Sequence, residues 1–446
     1  MRELHKRKKE INDFMVTAAI LGLGARGAEG YGRFSLIRPD LLKITAICDI
    51  NKERIDKYGK LFNVPEQNSY YTAEDMLRQD KLADVMFICT QDRDHFKHAK
   101  AALEKGYDIL LEKPISPVLH ECLELERLAR FYKRKIVLGH VLRYTAYFRK
   151  MKEIMDSGVL GKIIAINQIE NVEFWHAAHS FVRGNWRNSD QTSPMILQKC
   201  CHDFDTLFWM SGSKCKRLSS FGELHLFKEE NAPKGAALRC VDCKAGDTCP
   251  YNAKTIYLEN FKNLDISDEE KLTRWPYCQV ITNATLPRLT EAIEKGPYGR
   301  CVYHCDNNVV DHQIVNMEME NGVICNLTMS AFTRTGGRQV KIMGTLGDCI
   351  GDENENTIRV GIYGKPVEYI DVRTLATDFS GHGGGDNRLV EDFLETIQAH
   401  GDVGGGHCVT TIENSVESHV MAFAAEYSRL HGGEVVDVRK FQEENR

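Results

Sequence analysis

The chain has 446 residues, too many for one ordinary domain, so two domains that each bury a core are expected. Hydrophobic residues at 42% and charged residues at 27% are those of a soluble globular protein, and a net charge of −5 argues against nucleic acid as the main partner. No apolar run reaches the roughly 18 residues that a membrane span needs. The basic leader, residues 1–15, is not followed by the apolar stretch and small-residue cleavage site of a signal peptide. Fifteen cysteines without an export signal fit a reducing, cytoplasmic compartment.

In chain order, residues 16–145 alternate strand and helix signals. Short apolar runs at 16–21, 43–48, 83–89, 109–111 and 136–138 predict strands. Helical stretches follow at about 25–37, 52–61, 95–105 and 119–132. Alternation of this kind implies βαβ crossovers and a parallel sheet. The pattern changes in residues 146–446, which we expect to form a substrate and oligomerisation domain of α/β class. Residues 162–174 predict a long strand, 194–210 a helix with Pro194 in its first turn, and 216–227 another strand. Several β runs with turn signals fill 309–362, suited to an open, mainly antiparallel sheet. Helices are predicted at 387–400 and 413–430, and residues 228–308 interrupt the pattern as an insertion with little core of its own.

Gly22-Leu23-Gly24-Ala25-Arg26-Gly27 lies between the first strand and the first helix. The first glycine permits a tight turn, the second lets backbone approach a pyrophosphate, and the third allows close helix–strand packing. Asp49 ends the next strand, where a carboxylate accepts from ribose hydroxyls and repels a 2′-phosphate. NAD is therefore expected ahead of NADP, although Arg26 offers a phosphate partner. Glu112-Lys113-Pro114 sits just past the fourth strand, at the strand ends where doubly wound sheets bind ligands. A lysine there can hydrogen-bond a substrate hydroxyl, or take its proton if its pKa is lowered.

These motifs, with Thr90-Gln91-Asp92 and His95, Gly139-His140 with Arg143-Tyr144, and His202-Asp203-Phe204-Asp205, occur in an order that resembles the Gfo/Idh/MocA oxidoreductase family. The resemblance runs from about residue 17 to 430 outside the insertion. It implies a Rossmann domain followed by an α/β domain with a large open sheet. It also implies hydride transfer between a nicotinamide and a sugar, glycoside or cyclitol. Carried over by position, Lys113 and His202 are the catalytic pair, and Thr90, Gln91, His95, Glu112 and Arg143 join the glycine turn around the cofactor. Gln198 stands where many members carry an aspartate, which leaves the base open between His202 and Lys113.

On a helix over 194–210, Gln198 and Lys199 share a face with His202, and a histidine of near-neutral pKa suits removal of a hydroxyl proton. Tyr144, His176, His179, Arg183, Trp186 and His382 are further candidates for the substrate, because a sugar needs an aromatic face and hydrogen-bonding neighbours. His382 lies on the glycine-rich stretch 380–386, which suits a loop that folds over a ligand. An NAD-dependent glycosidase that oxidises, eliminates and re-reduces is the alternative to a dehydrogenase. An open sheet face predicts a dimer or tetramer.

The insertion holds Cys240-x-x-Cys243, then Cys249, then Cys301 and Cys305. A C-x-x-C knuckle joined by two distant thiolates is a common zinc arrangement. Structural zinc on Cys240, Cys243, Cys249 and Cys305, with Cys301 as the other option for the fourth ligand, is the expectation. An iron–sulfur cluster, or plain thiols or a disulfide, are the alternatives.

Overall fold

The computed structural model describes residues 15–398 and 410–446, which divide into two compact units. The predicted leader falls outside the described residues, except for Met15. The first unit takes in the chain up to Thr145 together with Asp378–Val416. Six parallel strands form its sheet: β1 (Val16–Leu21), β2 (Leu42–Cys48), β3 (Ser69–Tyr70), β4 (Val85–Ile88), β5 (Asp108–Leu111) and β6 (Ile136–Leu138). They lie in the order β3-β2-β1-β4-β5-β6, so the order reverses between β1 and β4. This is the switch point at which doubly wound sheets open a crevice beyond the strand ends. Strands β4 and β6 are buried throughout and β1 nearly so, which explains why they appear as unbroken apolar runs.

The core of this unit contains a segment from far along the chain. Leu389, Val390, Phe393 and Leu394, on the element Ser380–Gln398, pack with Tyr31, Phe87 and Val137. The rings of Phe87 and Phe393 meet edge-on at 6.1 Å. Beyond β6, Val137 bridges to Thr411, and Leu138 donates to the Thr410 carbonyl at 2.8 Å. The expected boundary, with everything after residue 146 in one domain, is therefore corrected. The helix at 387–398 is real, but its apolar face belongs to the first unit.

The second unit, Ala146–Thr377 with Glu417–Arg446, is built on nine strands. These are β7 (Ile163–Glu173), β8 (Cys215–Glu223), β9 (His312–Met319), β10 (Ile324–Thr333), β11 (Gly337–Gly344), β12 (Gly347–Asp352), β13 (Thr357–Ile362), β14 (Glu368–Asp371) and β15 (Val436–Asp437). Their order is β14-β13-β12-β11-β7-β10-β9-β8-β15, antiparallel except where β7 runs parallel to β10. Burial alternates along β9 and β11, so one face is packed and the other open. Ile164, Ile169, Ile314, Ile324 and Ile350 are exposed apolar residues of this sheet.

Two further expectations change. The helix over 194–210 is divided into Met195–Gln198 and Cys201–Ser211, because the winding tightens where Asp203 N–H bonds the Cys200 carbonyl three residues back. Gln198 and His202 are thus not on one continuous helical face. The insertion has two small cores of its own, one around Tyr257 and one around Phe261.

Phe393 is fully buried. Phe393→Ala is expected to destabilise the first unit by about 3–5 kcal/mol. Hydrogen exchange read by mass spectrometry should show faster exchange in peptides of β1 and β4 and unchanged exchange in β9 to β11.

Candidate functional site

The glycine turn of the first unit is closed by contacts that only glycine permits. Gly22 has φ +99°, and a Cβ there would lie 2.5 Å from the Cys89 carbonyl oxygen. A Cβ on Gly27 would lie 1.9 Å from the Gly22 carbonyl oxygen. Gly24 differs: a Cβ would face open space, the side on which the fingerprint brings backbone to a pyrophosphate. The segment Ala25–Gly32 continues from the turn as a helix. Asp49, at the end of β2, accepts from Leu23 N–H at 2.7 Å and from Asn51 N–H at 2.8 Å, with Arg54 at 3.4 Å. The carboxylate thus fixes the turn while standing where a ribose is expected. The residues present fit a dinucleotide.

Arg26 is fully engaged by the protein. Its Nε donates to Glu112 at 2.8 Å, and its two terminal nitrogens bind both oxygens of Asp386 at 2.8 and 2.9 Å. Tyr31 accepts from Arg26 at 2.8 Å and donates to Glu112. His382 Nδ1 lies 3.1 Å from Arg26 and 3.2 Å from Asp386. Burial works to raise the Asp386 carboxyl, but Arg26 and His382 outweigh it and hold it well below the usual range. Burial likewise opposes Arg26 and Lys113 at Glu112, whose carboxyl is also lowered. Arg26 is therefore a clamp on the glycine turn, with its donors spent on carboxylates rather than free for a phosphate. His382 is exposed, at φ +42° among glycines of positive φ, and it sits on the same clamp.

Glu112 N–H bonds the Ile88 carbonyl at 2.9 Å, which continues the β4–β5 ladder to the turn. The Lys113–Pro114 peptide is cis, and Lys113 is half-buried. His95 is 1% exposed, with Nδ1 2.7 Å from the Pro114 carbonyl and Nε2 3.1 Å from that of Thr90. It spans the two turns from beneath, so the structure makes it a positioning residue rather than a cofactor contact. Thr90 is half-buried and bonds His98 at 3.1 Å, and Gln91 is exposed. Arg143 is buried, 3.5 Å from the Asn414 carbonyl. Tyr144 is buried too, and its hydroxyl is taken by Asp392 at 2.8 Å and Thr410 at 3.2 Å. Both residues tie the unit to its returning segment, which corrects the substrate role expected of Tyr144.

In the second unit His202 lies in the first turn of the helix Cys201–Ser211 and is 8% exposed. Its neighbour Asp203, fully buried, accepts from Gln168 on β7 at 2.6 Å and from Arg338 on β11 at 3.1 Å. Arg338 also pairs with Glu170 at 2.6 Å, and Lys199 lies 3.2 Å from the other Glu170 oxygen. Burial beside Glu170 pushes the Asp203 carboxyl up, with Arg338 pulling the other way. This cluster pins the helix to the sheet. Sequence reasoning missed Glu170 and Arg338 because nothing local to either residue names its partner. Gln198 is buried, and the Lys199 ammonium is already paired.

The expected sugar-binding aromatics divide. Trp175 and His176 are half-buried and meet Trp275 at 5.1 and 4.9 Å. Trp186 is half-buried and 6.1 Å from Phe181. His179 is fully buried, bonded to Tyr257 at 2.9 Å and stacked on Tyr298 at 4.7 Å. Burial pushes its pKa down to about 4. Arg183 is fully buried, donating to the Arg300 carbonyl at 2.7 Å and the Tyr251 carbonyl at 2.6 Å. His179 and Arg183 are thus packed against the insertion, not presented to a ligand. Trp275, Tyr257 and Tyr298 were not singled out from the sequence. Of the cysteines, Cys240, Cys243, Cys249 and Cys301 line one cavity, and Cys305, the expected fourth ligand, does not.

A family model described as an oxidoreductase family with an NAD-binding Rossmann fold matches residues 16–140, and its C-terminal alpha/beta domain model matches residues 152–425. The chain belongs to the Gfo/Idh/MocA oxidoreductase family. As a member it is an NAD-binding oxidoreductase. The putative oxidoreductase YteT of Bacillus subtilis is 22% identical over 370 residues, 79% of this chain and 82% of YteT. Inositol 2-dehydrogenase of Salmonella typhimurium is 24% identical over 209 residues, 46% of this chain and 57% of that enzyme. Among solved structures, the inositol dehydrogenase homolog of Azotobacter vinelandii complexed with NAD+ shares the fold at 17% identity and a TM-score of 0.67, covering 95% of this chain and 97% of that one. An oxidoreductase from Agrobacterium radiobacter in complex with NAD+, L-tartaric acid and magnesium gives 13% and 0.67, covering 95% and 99%.

The Arg26 clamp has a pH signature. Both carboxyls are lowered, so their contribution to stability is complete above the unfolded carboxylate pKa of about 4 and is lost as pH falls below it. Arg26→Ala is expected to cost about 3–5 kcal/mol at neutral pH, because it removes the main counter-charge of two buried carboxylates. Adding Asp386→Asn should recover part of that loss. Denaturant unfolding at neutral and acid pH checks both, and the variant should lose less stability on acidification than the parent.

Proposed function

We propose that the chain is an NAD-dependent dehydrogenase that acts on a ring hydroxyl of a sugar, glycoside or cyclitol. The observation that carries this reading is the fixing of the Lys113 turn from both sides. Glu112 before it is locked into the Arg26 clamp, and the Pro114 carbonyl after it is held by His95. A half-buried lysine on such a turn, at the carboxyl end of a strand beside the switch point, is prepared for a ligand oxygen. The inositol 2-dehydrogenases among its relatives, and the solved inositol dehydrogenase homolog complexed with NADH and myo-inositol, support the substrate class.

The nicotinamide supplies the hydride acceptor for the carbinol C–H. The residues proposed to hold the cofactor are the Gly22–Gly27 turn and Asp49, whose charge favours NAD over NADP. The hydroxyl proton must leave as the hydride does. We assign that proton to His202, and to Lys113 the stabilisation of the developing alkoxide. Trp175, His176 and Trp275 offer an aromatic surface of the kind that C–H faces of sugars pack against. The exposed isoleucines of the nine-stranded sheet support a homo-oligomer that covers them.

A panel of sugars, glycosides and inositols, followed by NADH absorbance and by released aglycone, tests the reading. The expected outcome is NADH formed in equal amount to oxidised product with at least one polyol. Aglycone release without net NADH would identify the redox glycosidase instead. Lys113→Ala is expected to lower kcat by about 10²–10³, and turnover retained in that variant would remove Lys113 from the chemistry.

A further inference from the structure

The element Ser380–Gln398 is entered through a left-handed turn. Gly381, His382, Gly383 and Gly384 all have positive φ, from +30° to +81°. Two of the glycines are required by space as well as by conformation. A Cβ on Gly381 would lie 2.5 Å from an Asp386 carboxylate oxygen, and one on Gly384 would lie 2.3 Å from the Asp378 carbonyl oxygen. The Asp378 carboxylate ties the turn down, accepting from Ser380 N–H at 2.8 Å and from the Asn387 amide at 3.0 Å. Of the four residues only His382 carries a side chain, at φ +42°. That region is disfavoured for a residue with a Cβ, and such outliers collect at ligand sites. A fourth glycine would remove the strain, so the imidazole is the one group for which the turn keeps it.

The clamp orients that imidazole. Nδ1 lies 3.1 Å from Arg26 Nη1, and 3.2 and 3.3 Å from the two Asp386 oxygens. A guanidinium only donates. In the neutral ring Nδ1 therefore accepts from Arg26, which leaves the proton on Nε2. In the protonated ring Nδ1–H donates to Asp386, and Nε2 again carries a proton. Nε2 is thus a donor in both states. The side chain is 47% exposed, and among the described residues no hydrogen bond engages Nε2.

Arg26 is rooted in the first turn of the segment Ala25–Gly32, which starts beside Gly24. This is the end at which the glycine fingerprint seats a pyrophosphate. Arg26 has its own donors spent on Glu112 and Asp386, whereas the ring it steadies has a donor left over. We propose that His382 Nε2 donates to the pyrophosphate of the bound dinucleotide, the role that the sequence suggests for Arg26. This assignment rests on the cofactor site described above and is independent of the substrate.

The test is calorimetric titration of two ligands into the full chain and into its His382→Gly variant. One ligand is NAD+; the other is ADP-ribose, which keeps the pyrophosphate and lacks the nicotinamide. Glycine suits the backbone at this position, so the melting temperature without ligand should not fall below that of the parent. Both ligands should bind the variant about 10–100-fold more weakly. Equal affinity in parent and variant would overturn the proposal. A loss confined to NAD+ would also overturn it, by moving His382 to the nicotinamide half. So would a loss that comes with a lowered melting temperature, which would make His382 a structural residue. If the parent binds neither ligand, the cofactor site itself falls, and this assignment with it.

Discussion

The guanidinium of Arg26 is the contact on which the geometry of the first unit's turns depends. It binds Glu112 at the end of β5 and Asp386 on the returning segment, and it starts from the glycine turn itself. Three pieces of chain, separated by 86 and 274 residues, are joined at one planar group. Its side chain is about a quarter exposed, whereas those of Glu112 and Asp386 are almost fully buried. In such a setting a bidentate pair is geometrically demanding, and its loss leaves two buried carboxylates without their main counter-charge. Lys113 inherits this rigidity, because the residue before it is part of the clamp and the residue after it is held by His95.

The second unit repeats the device with other partners. Arg338 holds Glu170 and Asp203, and so fixes the helix that carries His202 against β7 and β11. Local geometry in both units therefore rests on arginine–carboxylate pairs. Arg183 departs from this pattern: it is fully buried, but faces a thiol where the other two face carboxylates. That contrast makes the cysteine cavity stand out from the polar clusters around it.

Much of this was legible in the sequence, and the limits have physical causes. The central parallel strands announce themselves because burial on both faces makes them continuous apolar runs. Asp49 and Lys113 stand out in the sequence because motif and strand end coincide along the chain. The 387–398 helix was found, but its host was not: periodicity shows that a face is buried and says nothing about what covers it. For the same reason Arg26 suggested a phosphate partner, since Glu112 and Asp386 are remote in sequence. His179 and Arg183 have the residue types of a sugar site, but the insertion's own aromatics, Tyr257 and Tyr298, enclose His179, and its backbone carbonyls take Arg183. The break before His202 escaped notice because a single tightened turn leaves the apolar pattern unchanged.

The central claim is that the clamped glycine turn, with Asp49 beside it, receives NAD. Calorimetric titration of NAD+ and NADP+ into the purified chain tests it most directly. The account predicts saturable binding of one NAD+ per chain, tighter than NADP+, and its loss in Gly27→Ala, where the added Cβ would meet the Gly22 carbonyl. Absence of binding by either dinucleotide, or a preference for NADP+, would contradict it.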